Sequence, residues 1–167
     1  TVEDVMPAIL QDTFYYNRSG GGVTLSGGEA LLQPNFGPHL LHACKDYGIN
    51  TAIETTGFAR WEFIEKYLPY LDYVLMDIKH MNSAKHKEFT TQLNELIHEN
   101  AKRIAESGMV DLTIRVPVIP TFNATPEEIY DIAMFAASLK GVKKLHLLPY
   151  HRLGQGKYDG LGREYKL

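Results

Sequence analysis

The most informative segment of the chain is Gly20-Gly-Gly-Val-Thr-Leu-Ser-Gly-Gly-Glu29. Three glycines break the chain, and the following Val23-Thr24-Leu25-Ser26 predicts a short strand. The strand runs into Ser26-Gly27-Gly28-Glu29, whose glycines would let a ligand approach the backbone. A turn that only caps the next helix would have the same sequence, so this segment alone leaves both interpretations open.

Four more strands are predicted downstream, at 51–55, 73–76, 110–116 and 144–148, and helical segments separate them. This alternation is typical of βα units with a parallel sheet. The nearly continuous apolar character of the strands fits a sheet covered on both faces. A complete eight-fold barrel needs roughly 250 residues. With 167 residues, this α/β chain is a doubly wound domain, an incomplete barrel or a piece of a longer protein. The tail, 149–167, is predicted as loop.

The composition excludes several classes of protein. The chain is 44 % apolar and 22 % charged, which fits one globular domain. Its 17 basic and 20 acidic residues give a net charge of −3 without a basic stripe, so we expect no nucleic-acid partner. The sequence lacks both an apolar run of about 18 residues and a signal peptide. We therefore expect a cytoplasmic protein that does not bind membranes, and the single cysteine, Cys44, fits a reducing compartment.

Charged side chains cluster where the predicted strands end. They are Glu29 after the first strand, Glu54 in the second, Asp77 and Lys79 after the third, Arg115 in the fourth and His151 after the fifth. Ligands of parallel α/β sheets bind at these carboxyl ends. The pattern therefore predicts a polar pocket, although Asp77 and Lys79 could also form only a local ion pair.

Five motifs, in order along the chain, resemble those of the activating enzymes of glycyl radical enzymes, of the pyruvate formate-lyase activating type. They are 20–29, Glu54-Thr-Thr-Gly57, Asp77-Ile-Lys79, Arg115-Val-Pro117 and Leu148-Pro-Tyr-His-Arg-Leu-Gly154. The resemblance covers essentially the whole chain, and the first motif is the most specific. These enzymes are radical S-adenosylmethionine (SAM) enzymes, so the resemblance implies an incomplete (β/α) barrel with about five parallel strands of a (β/α)6 partial barrel.

The resemblance also implies a reaction. In the family, a Cys-x3-Cys-x2-Cys triad holds a [4Fe-4S] cluster, and SAM chelates the remaining iron. One electron, from a donor such as flavodoxin or ferredoxin, cleaves SAM to a 5′-deoxyadenosyl radical. That radical removes a hydrogen atom from a backbone glycine of the protein substrate, a glycyl radical enzyme such as pyruvate formate-lyase.

Several residues acquire roles by resemblance. Gly27, Gly28 and Glu29 would hold the amino group of SAM. Lys79, Arg115 and His151 would line the carboxylate and ribose side of the cofactor. In the family, one region near that carboxylate can hold a monovalent cation, and the residues that match it here are Glu54, Thr55, Met76 and Asp77. Thr55 would also contact the cofactor.

The sequence departs from the family at one decisive point, because the cysteine triad and the strand that precedes it are missing. Cys44 lies on a predicted helix and cannot replace the triad. We therefore expect residues 1–167 to form one domain, the C-terminal fragment of a longer enzyme, with the cluster present only in the parent protein. The fragment alone should be inactive.

Other interpretations remain open at this stage. The chain could be a non-catalytic module that binds a cofactor or docks a protein, or a small doubly wound domain for an anionic metabolite. Loss of a first strand would also leave 23–26 with an unpaired backbone edge, which favours self-association or a covering segment such as the predicted helix near the N-terminus.

Overall fold

Strands and helices alternate along the chain, as the sequence predicts. The computed structural model describes residues 1–151, 156, 160–162 and 164. Within these residues the strands are β1 Gly22–Leu25, β2 Asn50–Thr55, β3 Tyr73–Asp77, β4 Asp111–Val118 and β5 Lys144–Pro149. The helices are α1 Val2–Leu10, α2 Thr13–Ser19, α3 Phe36–Asp46, α4 Trp61–Tyr67, α5 Ser83–Thr90, α6 Glu95–Ser107 and α7 Pro126–Ser138, with short 3₁₀ turns at Ala30–Leu32 and Leu68–Tyr70.

The strands form one parallel sheet in the order β1-β2-β3-β4-β5. A doubly wound sheet reverses its strand order partway across. The order here runs in one direction through the described strands, so the doubly wound alternative is wrong. The sheet is that of an incomplete (β/α) barrel, as the resemblance implies.

The two faces of the sheet differ in chemistry. Ile53, Met76 and Ile114 point into the core under the helices and are almost fully buried. Because side chains alternate along a strand, the charged Glu54, Asp77 and Arg115 are expected on the opposite face. The register of the parallel pairs aligns Asp77 with Arg115. The charged residues of three neighbouring strands therefore approach one another near the carboxyl ends.

The N-terminal helix packs beside the first strand. A second, smaller core contains Met6 of α1 and Cys44 of α3, and Val23 and Leu25 of β1 pack against it. This packing covers side chains of β1. In the described part of the chain β1 pairs only with β2 and lies at the margin of the sheet. Self-association through that margin therefore stays a prediction.

Local signals set some of the helix boundaries. Thr125 and Glu128 form a reciprocal capping box at the start of α7, with Pro126 in the first turn. Two helices, α5 and α6, separate β3 from β4. Much of the tail lies outside the described residues, but Gly156 and Gly160 are helical. The loop prediction is wrong at these two positions, because context overrides the low helix propensity of glycine.

None of the described helices is both long and apolar enough for a membrane span.

Candidate functional site

Arg115 organises a charged cluster at the carboxyl edge of the sheet. Its Nη1 lies 2.8 Å from Glu54 Oε1, and its Nη2 lies 2.9 Å from Asp77 Oδ1. Arg115 Nε also donates to Asp77 Oδ1 at 3.0 Å. Lys79 Nζ approaches the second oxygen, Asp77 Oδ2, at 3.3 Å. One guanidinium thus joins carboxylates from β2 and β3, and Lys79 adds a second positive charge.

The cluster is partly shielded from water, which strengthens its interactions. The side chains of Arg115 and Asp77 are 15 % and 16 % exposed, while Glu54 is 38 % exposed. Two carboxylates this close would repel each other without a compensating cation. Arg115 supplies that charge. The sequence alone could not show this contact, because it depends on the pairing of β4 with β3 that places Arg115 opposite Asp77.

The monovalent-cation prediction involves residues that the structure places differently. Glu54 and Asp77 meet at Arg115, whereas the Met76 side chain is fully buried and lies against Gly57. Met76 could therefore offer only its backbone carbonyl to an ion at this edge. The described residues contain no group of three or more His, Cys, Asp or Glu side chains arranged to hold a metal. The cation site stays a prediction.

Glu29 links the turn after β1 to the turn after β2. Its Oε1 accepts hydrogen bonds from Thr55 Oγ1 at 2.6 Å and from Leu31 N at 3.3 Å. Its Oε2 accepts from Thr56 N at 2.9 Å and from Thr56 Oγ1 at 2.6 Å. A carboxylate has about four acceptor positions. The capping interpretation of Glu29 is therefore part of its role, and the carboxylate also fixes the relative position of two strand ends.

Tyr67 also holds the turn after β1 in place, through its hydroxyl group. Its hydroxyl is within hydrogen-bond distance of two carbonyls, Ala30 O at 2.6 Å and Gln33 O at 2.8 Å. Burial, together with the nearby negative charge of Glu29, raises the pKa of Tyr67 to about 12. The phenol consequently stays protonated and can donate. Gly37 makes room for this ring, since a Cβ at position 37 would overlap the Tyr67 hydroxyl.

The two glycines before Glu29 are open to solvent. Gly27 has φ +113°, a conformation that favours glycine. A Cβ at Gly27 or Gly28 would meet no atom within 4 Å, so the space above this turn is free. Anchoring by Glu29 and Tyr67 leaves an ordered, accessible backbone at the position where the sequence predicts a ligand.

The structure brings together most, but not all, of the predicted site residues. Glu29 contacts Thr55, while Glu54, Asp77, Lys79 and Arg115 form the charged cluster. His151 follows β5 and is exposed, and no hydrogen bond joins it to the described part of the cluster. Sequence reasoning missed Thr56 and Tyr67. The repeated threonine of the Glu54-Thr-Thr-Gly57 motif was the available signal for Thr56, and no local signal marked Tyr67.

Cys44 does not fit the ligand set of an iron–sulfur cluster. It is the only cysteine of the sequence, and it is buried in the core formed with Met6. Burial also raises the pKa of its thiol, which disfavours the thiolate that binds iron. Cluster ligation requires several thiolates. This chain by itself therefore offers none of the expected ligation.

Comparison with known proteins places the chain in a family. The family model described as "Radical SAM superfamily" matches residues 5–146. The choline trimethylamine-lyase activating enzyme of Oleidesulfovibrio alaskensis is 42 % identical over 100 % of this chain and 54 % of its own length. The pyruvate formate-lyase-activating enzyme of Clostridium pasteurianum is 40 % identical over 100 % of this chain and 69 % of its own. The chain thus spans about half the length of most of the curated relatives compared.

Solved structures give the same result. A domain of pyruvate-formate lyase-activating enzyme from Bacteroides vulgatus superposes with a TM-score of 0.72 at 40 % identity, over 78 % of this chain and 81 % of that one. Streptococcus suis SuiB bound to S-adenosylmethionine, at 18 % identity and a TM-score of 0.64 over 78 % of this chain and 30 % of that one, shares the fold. The chain belongs to the radical SAM superfamily, among the activating enzymes of glycyl radical enzymes.

Proposed function

We propose that this chain is the SAM-binding part of an enzyme that generates a backbone glycyl radical on a partner enzyme. The observation that carries the proposal is the charged cluster at the carboxyl edge of the sheet, where Arg115 joins Glu54 to Asp77 and Lys79 adds a second positive charge. The open glycine turn follows β1 at the same edge. Two cations suit the carboxylate of a bound amino acid group. The accessible backbone at Gly27 and Gly28 suits its ammonium group.

The residues of this chain would bind and orient the cofactor. Lys79 has only Asp77 as an ionic partner in the described structure, so its other N–H groups can donate to a carboxylate. Glu29 holds the turn rigid and adds negative charge beside the ammonium. Thr55 positions Glu29, and His151 would reach the ribose side. When bound, SAM supplies the hydrogen-abstracting chemistry after one-electron reduction.

The electron must come from a cluster that this chain alone cannot ligate. The proposal therefore assigns the [4Fe-4S] cluster to thiolates outside residues 1–167, and the isolated chain should be inactive. A flavodoxin or ferredoxin as the electron donor and a cytoplasmic location belong to the same proposal. Activating enzymes for several different partner enzymes are 40–46 % identical to this chain. We therefore propose a class of partner, the glycyl radical enzymes, and do not choose one member of it.

Titration with SAM, followed by NMR of the labelled chain, tests the proposal. We expect weak binding that shifts the signals of Gly27, Gly28 and the Lys79 ammonium. Lys79→Met should weaken it about tenfold or more, because a charge-assisted hydrogen bond contributes about 1.5–3 kcal/mol. Glu29→Gln should also weaken it by loosening the turn. Lys144→Met is the matched control, since Lys144 is more than half exposed at the opposite end of the sheet.

Two results would contradict the proposal: site signals that do not move with SAM at millimolar concentration, or equal losses for Lys79→Met and Lys144→Met. Unchanged affinity of the Glu29→Gln variant would restrict Glu29 to a capping role.

The monovalent cation is tested separately. If Glu54 and Asp77 share an ion as well as Arg115, potassium should raise the melting temperature more than tetramethylammonium at equal ionic strength. The readout is the difference between the two salts, which Asp77→Asn should abolish even though that variant also loses an ion pair. Identical melts of the unmodified chain in both salts would remove the cation from the proposal.

A further inference from the structure

A cavity of about 200 Å³ lies beside the charged cluster and is not used by the function proposed above. Asp77 and Lys79 line one side of it. The other walls come from the turn after β2, through Phe58, and from α5 and α6, through His86 and Ile97. Most of the lining is apolar, so the cavity differs in character from the cluster that it adjoins.

His86 is the buried polar group of this cavity, with 3 % of its surface exposed. Its Nδ1 lies 2.7 Å from the carbonyl oxygen of Gln92. A carbonyl can only accept, so Nδ1 carries the proton in this contact. Burial lowers the pKa of His86, which keeps the ring neutral. Nε2 therefore presents a lone pair.

That lone pair is unused and accessible. The contacts of His86 within the described structure all involve Nδ1 or its backbone. Among the described residues, the fully enclosed side-chain atoms that lack a partner are Ser83 Oγ and His98 Nε2. His86 Nε2 is not one of them, so it reaches open space. Because His86 is one of the residues that line the cavity, the cavity is the open space next to this residue.

The backbone around His86 fixes the ring. Thr91 adopts φ +67° and donates its N–H to Lys87 O at 2.8 Å, which ends α5. This left-handed residue turns the chain so that Gln92 O faces the imidazole. A β-branched residue in this conformation carries strain. Gln92 O, the acceptor that orients the His86 ring, is a backbone atom. Its position is therefore set by the fold and does not depend on a mobile side chain.

The cavity offers three complementary features to a ligand. Phe58 is 37 % exposed and presents an apolar ring, His86 Nε2 accepts one hydrogen bond, and Lys79 at the margin can donate one. An uncharged N–H, a carbonyl oxygen and an apolar side chain in close proximity are the groups of a polypeptide segment. The methionine end of SAM, by contrast, carries two charges, which match the adjoining cluster better than a neutral imidazole.

We infer that this cavity is a subsite for the polypeptide that carries the target glycine, with His86 Nε2 accepting a backbone N–H and Phe58 packing against the flanking apolar side chain. The inference rests on the proposed function, since it assumes a protein substrate at this edge of the sheet. It assigns substrate contact to α5, through His86, and to the turn after β2, through Phe58, outside the residues proposed to bind SAM.

A short peptide tests the inference directly. The probe is acetyl-Ala-Gly-Leu-Ala-amide, and its matched partner has serine in place of leucine. Titration of the ¹⁵N- and ¹³C-labelled chain should shift the His86 Nε2 resonance and the Ile97 methyl groups, and the leucine peptide should bind more tightly. Phe58→Ala should weaken that binding about fivefold to twentyfold, because roughly half to all of about 70 Å² of ring surface is covered at about 25 cal/mol per Å².

The controls separate this inference from the proposed function. Tyr130→Ala removes a 63 % exposed aromatic ring from α7 and should leave peptide affinity unchanged. SAM affinity should be the same in the unmodified chain and in Phe58→Ala. Unmoved His86 and Ile97 resonances, or equal peptide affinity with and without Phe58, would overturn the subsite while leaving SAM binding intact. Loss of SAM affinity in Phe58→Ala would also overturn it, by making the cavity part of the cofactor site.

Discussion

Replacing Arg115 by methionine should destabilise the chain, because it removes the cation that joins two strands. Arg115→Met keeps the length of the side chain and deletes its three contacts, at 2.8, 2.9 and 3.0 Å, with Glu54 and Asp77. Breaking a buried ion pair from one side costs about 3–5 kcal/mol. Glu54 is 38 % exposed and can turn toward water, and Lys79 remains near Asp77. We therefore expect a loss of about 2–3 kcal/mol in the free energy of unfolding.

Urea denaturation measures this loss. With a slope of about 2 kcal/mol per molar, the midpoint should fall by about 1–1.5 M. Adding Glu54→Gln to Arg115→Met should recover part of the loss, since it removes one uncompensated charge. Arg115→Lys, which keeps the charge but not the forked geometry, should lose about half as much. This milder variant keeps the test informative should Arg115→Met fail to fold.

Lys144→Met supplies the control for a surface ion pair. Lys144 lies 3.8 Å from Asp111, and both side chains are about half exposed, so the expected loss is below about 1 kcal/mol. A loss below about 1 kcal/mol for Arg115→Met, or one equal to that of the control, would refute the argument that Arg115 stabilises this edge.

Three further predictions concern other parts of the fold. Hydrogen bonds, first from Lys85 and then from His80 and Thr125, lower the pKa of Glu128 from 4.5 to about 2. The contribution of the Glu128 carboxylate to stability is therefore full above pH 4.5 and is lost as the pH falls toward 2. Glu128→Gln should flatten this part of the stability–pH curve. Thr91→Gly should raise the free energy of unfolding by about 1 kcal/mol, because relief of left-handed strain outweighs the conformational entropy of glycine. Thr91→Ala should not raise it. Equal stability of the two variants would contradict this prediction. Anaerobic reconstitution with iron and sulfide should give no stoichiometric cluster, because Cys44 alone cannot ligate one; a stable [4Fe-4S] spectrum from the chain would contradict that.

Much of the fold follows from local sequence. The apolar strands and the glycine that ends α3, Gly48 at φ +67°, act over a few residues, and consecutive βα units usually place neighbouring strands side by side. The polar strand ends therefore predicted the location of the candidate site. The expectation of one domain over residues 1–167 stays a prediction.

The contacts of the site could not be predicted, because they depend on tertiary register. Arg115 meets Asp77 because β4 pairs with β3 in one particular alignment, and a shift by one residue would turn Arg115 to the core face. Glu29 reaches Thr56 across 27 positions of sequence. The sequence did not mark His86 as a site residue, because its proposed role depends on a cavity formed by three separate segments.

The fit between Gly37 and Tyr67 constrains the order in which the two positions can change. Any side chain at position 37 collides with the ring. Loss of the ring leaves a gap and removes the hydroxyl that bonds the carbonyls of Ala30 and Gln33. Each first step is therefore harmful alone, although a smaller residue at 67 combined with alanine at 37 could refill the space. In a combinatorial library of the two positions, viable variants should form two separate groups, one with glycine and tyrosine and one with both residues replaced. The turn after β1 is thus maintained by epistasis between α3 and α4.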